Sequence, residues 1–326
     1  MPDLSVIIPY VNEYPLICTT LRTIGEELKG HVDFEVIAVD NWCDAVEQQG
    51  RKPDRGHSLV HAMAQGIPWL RTMKYNARLS HWQAKRLAVA SSEAPFLFFC
   101  DAHVLPANGA LRRMFEVYSL RHEDLDGSIH LPLTYHLLEE KRLIYSLKWK
   151  PEAAEVHYTF RGALNKNLYE VPCMSSCGLM ITRELYDLVG GWPAELGIYG
   201  GGENFMNFTL AVLGKKKWIC GTDPLYHHGD KRGYNWNFWD YERNRLIATY
   251  LFGGPDFASR FVDQRKKVQS KRQFWSVYQD VLDKCGEHRQ WIEDRQVMTI
   301  QEWASKWTGK GVRNEGLPDQ RQDAAP

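Results

Sequence analysis

The sequence predicts an α/β fold: a mostly parallel sheet flanked by helices, followed by a helical C-terminal extension. Three observations predict it. Short apolar runs alternate with stretches of helical apolar spacing over the first half of the chain. Three of those runs stop abruptly at polar residues, where strands of open α/β sheets hold ligands. Beyond about Tyr241 only the helical pattern continues.

The elements follow in order. Residues 4–9 (LSVIIP) read as a buried strand ending at Pro9, and residues 16–28 as the first helix. Residues 34–39 (FEVIAV) form a second strand, and 44–57 are polar with Gly and Pro, a loop. Residues 81–90 are helical, 96–100 (FLFFC) form the third strand read here, and 111–120 are helical again. Strands alternating with helices imply βαβ units. Residues 128–172 read as less regular strands and loops. A strand follows at 177–181 and a short helix at 183–189. The glycine run 200–202 opens a helix over 203–213, and 218–220 reads as the last strand. Thr299 and Glu302 have the spacing of a capping box. The expected division is an α/β domain over 1–235, a helical extension over 236–316, and a polar, disordered tail over 317–326.

Composition narrows the function classes. With 44% hydrophobic and 25% charged residues, 326 residues support an ordinary core. Forty basic and forty acidic residues cancel, so no global field draws nucleic acid or an anionic membrane. The first residues lack a basic start, and no window approaches the roughly 18 apolar residues of a membrane span. The seven cysteines are odd in number, and Cys173 and Cys177 lack a second pair to complete a zinc site. These features predict reduced thiols in a cytoplasmic protein with no membrane partner.

The chemistry gathers at the strand ends. Pro9 to Glu13 follow the first strand, Asp40 and Asn41 the second, and Asp101-Ala102-His103 the third. Together they suit a nucleotide-sugar. Asp40 alone is read equally well as a turn residue. Asp101 and His103, at i and i+2, can point the same way and offer a carboxylate and an imidazole to one cation. Mn²⁺ suits such mixed ligation, and Mg²⁺ tolerates it less well. The bland reading of His103 is a buried histidine held by hydrogen bonds. A third ligand is available from His227 or His228, in a segment where Lys231 and Arg232 could neutralise phosphate. Its alternative is a solvated turn. Lys85 and Arg86 are further phosphate-contact candidates, or an ordinary exposed helix face.

These residues resemble a known family. LSVIIPYVNE, FEVIAVDN and FLFFCDAH look like the pattern of family 2 glycosyltransferases of the GT-A type. DAH stands where most of them carry Asp-x-Asp, and Asp-x-His resembles the variant in polypeptide N-acetylgalactosaminyltransferases. The segment from Ser175 to Trp218 is similar to the acceptor side of the same enzymes. There a Trp-Gly-Gly-Glu-Asn motif opens a helix; here the match is Gly200-Gly201-Gly202-Glu203-Asn204 after Tyr199, so the motif Trp is missing. The resemblance covers about residues 4–235. It implies that Asp40 sits near the base and ribose, that Asp101, His103 and His227 hold Mn²⁺, with His227 favoured over His228, and that Glu203 and Asn204 face the sugar and acceptor. It also implies a UDP-linked donor. Free N–H groups at the start of the 203–213 helix would be available to a ligand.

Inverting enzymes of this kind resemble one another in placing a carboxylate base after that Glu. Here the place is Asn204, and an amide is no base. Retention of anomeric configuration is therefore expected. The acceptor is not fixed by the resemblance. Arg260, Arg265, Lys266, Lys267, Lys271 and Arg272, followed by Phe274, Trp275 and Tyr278, suggest a nucleic-acid track and an acceptor such as a hydroxymethylated DNA base. The bland reading is a solvated helix whose aromatics pack on the core. Trp236 and Trp239 are read as lid residues or as core.

Two other enzyme classes fit less well, and so does a binding module. A sugar nucleotidyltransferase needs a Gly-rich basic loop after the first strand, and Pro9 to Glu13 contain neither Gly nor cation. A metallohydrolase needs a two-metal cluster. A degenerate binding module has no need of Asp101, His103 and His227.

Overall fold

The computed structural model describes residues 1–135, 141–198, 200–229, 233–265 and 271–308. The first half runs β1 (Leu4–Tyr10), α1 (Leu16–Leu28), β2 (Phe34–Asp40), α2 (Asp44–Glu47), α3 (Arg55–Gly66), β3 (Leu70–Lys74), α4 (His81–Ala90), β4 (Phe96–Phe99), β5 (Val104–Pro106) and α5 (Ala110–Leu125). The middle contributes β6 (Gly127–His130), β7 (Leu133–Thr134), β8 (Leu143–Lys150), β9 (Glu155–Gly162), β10 (Leu168–Glu170), β11 (Leu179–Thr182), α6 (Arg183–Leu188), α7 (Gly202–Val212), β12 (Lys216–Cys220) and β13 (Leu225–His227). Three helices end it: α8 (Phe238–Arg265), α9 (Lys271–Glu293) and α10 (Ile300–Thr308).

The strands form two sheets. The larger has the order β10-β12-β6-β11-β4-β1-β2-β3 and the smaller β5-β13-β7-β8-β9. β1 is parallel to β2 and β4, and β2 to β3, which is the βαβ arrangement expected from the alternating pattern. β11 enters antiparallel between β4 and β6. All seven residues of β1 are buried, as befits a strand covered on both faces. α4 packs on β1 and β2, while α1 meets α3 and α5.

Several expectations change. β3 and α3 were not read from the sequence. β3 is an edge strand with only Leu70 buried, so it lacks an apolar run. The irregular middle contains a regular hairpin, with β8 and β9 paired from Leu143↔Gly162 to Lys150↔Glu155. β12 is followed by one more strand, β13, and His227 is its last residue. α8 bends at Gly254 (φ 81°) before Pro255, and Arg289 donates to the carbonyls of Tyr250 (2.8 Å) and Leu251 (3.1 Å) there. The capping box forms: Thr299 N donates to Glu302 Oε2 at 2.7 Å, and Glu302 N to Thr299 Oγ1 at 3.2 Å.

The C-terminal helices share the core of the α/β part: Phe252, Phe261, Phe274 and Trp303 join the same buried cluster as Leu4 and Val36. The tail at 317–326 lies outside the described residues. All seven cysteines are free thiols. Among the described residues, no helix is long and apolar enough to cross a membrane.

Candidate donor and metal site

The site is built where β1, β4 and the β5–β13 ladder end together. Asp101 and His103 lie in the link between β4 and β5. Antiparallel pairing sets His227 opposite Val104, next to His103. The ladder runs one bond further, His228 N donating to His103 O at 2.8 Å. One ligand atom each from Asp101, His103 and His227 lies within 4.8 Å of the others. His227 Nε2 is 3.3 Å and His103 Nε2 4.0 Å from Asp101 Oδ2. The two imidazoles stand perpendicular, centroids 4.7 Å apart.

Neighbours fix this geometry. Glu13 Oε2 lies 3.0 Å from His103 Nδ1, which turns Nε2 toward Asp101. A carboxylate behind a histidine in this way orients a metal ligand and raises its basicity. Gly229 crosses the two rings so closely that a Cβ there would stand 2.6 Å from His227 Cε1 and 2.8 Å from His103 Nε2. The donor set, one carboxylate oxygen and two imidazole nitrogens, fits a divalent transition ion. Burial would raise the pKa of Asp101. The hydrogen bond with His227 and the positive charges of Lys85, His103 and His227 outweigh that and hold it well below the carboxylate range.

An open cleft of about 440 Å³ lies beside this cluster, lined by Pro9, Tyr10, Glu13, Asn41, Asp101, His103, Ile198 and Tyr234 among others. Asn41 lines its β2 end, and Asp40, the residue before it, does two things. Oδ1 accepts from Trp42 N at 2.8 Å, the turn expected of an Asp, and Oδ2 lies 2.9 Å from His57 Nδ1. His57 Nε2 reaches Asn12 Oδ1 at 3.0 Å, and the rings of Tyr10 and Trp42 flank the imidazole. The sequence reading missed His57 because it assigned 44–57 to a loop. The available signal was Asp54, which caps α3 by accepting from Gly56 N at 2.7 Å.

Four candidates move. Lys85 is no exposed phosphate contact: it is fully buried, with Nζ 5.2 Å and 5.3 Å from the ring centroids of Trp82 and Trp192, and donates to Ser176 O at 3.4 Å. Arg86 is exposed and acts on Tyr186, away from the cleft lining. His228 is not in the ligand group, and its Nε2 is buried without a partner among the described residues. Asn204 is 1% exposed and its amide lies against His157 Nδ1, at 3.0 Å from Oδ1. Lys231 and Arg232 lie outside the described residues.

Glu203 remains near the site, in the first turn of α7. It accepts from Ser176 Oγ at 3.0 Å, and burial raises its pKa against the pull of its own backbone N–H, Lys85 and Ser176. The glycines before it are required sterically. Gly200 and Gly201 have φ of 71° and 70°, and a Cβ on Gly202 would meet the Trp82 ring at 2.3 Å.

No protein-family model matches the chain. Among solved structures, GalNAc-T7 with UDP, GalNAc and Mn²⁺ superposes with a TM-score of 0.62 at 13% identity, over 88% of this chain and 57% of that one. The chain has the GT-A glycosyltransferase fold. Another GT-A structure, S. aureus TarS 1–349 in complex with UDP-GlcNAc, gives 0.56 at 12% identity, over 86% and 80%. The mannosyltransferase PcManGT from Pyrobaculum calidifontis, with GDP-Man and Mn²⁺, gives 0.50 at 16%, over 97% and 88%. In sequence, N-acetylgalactosaminyltransferase 6 of Drosophila melanogaster is 23% identical over 235 residues. That match covers 68% of this chain but only 32% of the fly protein, so the GT-A chain spans about a third of its relative.

Proposed function

We propose that this GT-A chain transfers a sugar from a UDP-linked donor to an acceptor hydroxyl, with retention of anomeric configuration. The observation that supports it best is the convergence of Asp101, His103 and His227 beside a cleft whose lining includes Asp101, His103 and, at the end of the second strand, Asn41. Asp101, His103 and His227 would hold Mn²⁺, which supplies positive charge to the diphosphate as it leaves. Glu13 keeps His103 turned toward that position. Asp40, held by His57, faces the base and ribose. Glu203 lies on the sugar side, and Asn204 is held separately against His157.

Retention follows from what stands at 204. An amide tied to a histidine cannot take the acceptor proton. The bond between the anomeric carbon and the diphosphate oxygen breaks, the acceptor oxygen forms its bond on the same face, and its proton passes to the departing diphosphate. The acceptor we propose is the hydroxyl of a hydroxymethylated DNA base. The C-terminal helix lends this no support: Phe274 and Tyr278 are buried, and Trp239 packs on Phe274 at 4.7 Å. Arg265 is paired with buried Glu242 at 3.2 Å. Lys266 and Lys267 lie outside the described residues.

The test is proton NMR of the product from an α-linked UDP-sugar, with UDP release followed in parallel. An α-linked product formed only with Mn²⁺ supports the reading. A β-linked product overturns retention and makes Glu203 the base.

A further inference from the structure

We propose that Asn244, in the helical extension, is a positioning residue for the transfer step: its amide fixes the backbone that carries Glu203 and one wall of the cleft. This rests on the transferase reading above. Asn244 lies in the second turn of α8 and is completely buried. It meets the loop before α7 at two points. Oδ1 accepts from Gly197 N at 2.7 Å, and Nδ2 donates to Gly200 O at 2.8 Å. An N–H at one end and a carbonyl at the other use the donor and the acceptor of one planar group. The same Gly200 carbonyl accepts at 2.9 Å from the N–H of Gly202, the first residue of α7, and Glu203 follows it. Ile198, between the two contacts, lines the cleft together with Asp101 and His103. One side chain of the extension thus holds both the cleft wall and the start of the helix that carries Glu203.

The loop is shaped to receive α8. A Cβ on Gly200 would stand 2.2 Å from the Tyr241 ring, and one on Gly201 2.6 Å from Asn244 Cβ. Their left-handed backbone asks for glycine independently. A second contact falls one residue beyond Glu203. His157 lies with Nδ1 3.0 Å from Asn204 Oδ1 and Nε2 3.3 Å from the Tyr241 hydroxyl. Tyr241 and Asn244 therefore hold the first turn of α7 on both sides of Glu203 in the chain, while Ser176 holds its carboxylate. The metal ligands come from other elements, the β4–β5 link and β13. Loosening α7 should therefore separate turnover from metal binding.

The experiment compares the full chain with Asn244→Ala and with Tyr241→Phe, which keeps the ring against Gly200 and removes only the hydroxyl. Each protein is measured three ways: melting temperature without ligand, calorimetric titration of Mn²⁺ with UDP, and Mn²⁺-dependent release of UDP from UDP-GalNAc and UDP-GlcNAc with water as acceptor. Misplacing a group at the reacting centre by about 1 Å costs up to about 100-fold in rate. Well below the melting temperature, kcat for UDP release should fall about 10- to 100-fold in Asn244→Ala and at least about threefold in Tyr241→Phe. Mn²⁺ affinity should stay within about twofold of wild type in both. A purely structural contact would lower the melting temperature and leave kcat of the folded protein alone. A kcat within about twofold of wild type in folded Asn244→Ala overturns the proposal, and the same result in Tyr241→Phe does so where Asn244→Ala does not fold. Mn²⁺ affinity lost in step with kcat overturns it too. No Mn²⁺-dependent UDP release by wild type overturns the transferase reading instead.

Discussion

Gly229→Ala tests the geometry of the metal site without removing a ligand. The new Cβ would stand 2.6 Å from His227 Cε1 and 2.8 Å from His103 Nε2. Carbon contacts settle at about 3.5–4.0 Å. One or both rings, or the loop itself, must therefore move by roughly 1 Å. Crowding of this kind costs about 1–3 kcal/mol. The cost bears most on the loaded state, where ligands need placement within about 0.5 Å. That converts to a loss of about 5- to 150-fold in metal affinity. The assay is calorimetric titration of Mn²⁺ in the presence of UDP, with the melting temperature in chelator as a control for folding. Wild-type affinity in the variant would refute the placement of the cation between these two rings.

Two further perturbations act on other parts of the account. Glu13→Ala frees the His103 ring and should lower Mn²⁺ affinity about 10- to 100-fold with the fold unchanged, read by the same titration. Lys217 is 1% exposed, donates to Asn207 O at 3.1 Å, and is pushed down from 10.5 to about 8 by burial. Its folded value is depressed, so its contribution is complete above 10.5 and is lost as pH falls through about 8. That displacement is worth about 3 kcal/mol. Lys217→Met should therefore be more stable than wild type at pH 7.5, with a gap that narrows by pH 10; a constant gap in urea unfolding contradicts it.

Much of this site is legible because its residues end apolar runs. LSVIIP, FEVIAV and FLFFC bury on both faces, so the residues that stop them mark the strand ends. His227 is legible as a histidine near a last strand. Its pairing with Val104, and hence its choice over His228, needs the register of β13, a strand of three residues too short to show a pattern. Lys85 was misplaced although the signal was present: Trp82, Lys85 and Val89 share one helical face, and that face is the buried one. Asn204 and Glu203 are adjacent in sequence, and only the packing of α7 separates them, Glu203 toward Ser176 and Asn204 toward His157. The hairpin is legible in the sequence after all: Tyr145, Leu147 and Trp149 alternate with Ser146, Lys148 and Lys150, and Val156, Tyr158 and Phe160 with His157, Thr159 and Arg161, the period of a strand that the reading of 128–172 as irregular passes over.

The most direct test is a thermal-shift panel of UDP-, GDP- and CMP-sugars with and without Mn²⁺, on wild type and Asp101→Ala. A ligand that binds only the folded state raises the melting temperature by mass action. The account predicts stabilisation by a UDP-sugar that requires Mn²⁺ and disappears in Asp101→Ala. Stabilisation that persists without Mn²⁺ or in Asp101→Ala, or none with any donor, would contradict it.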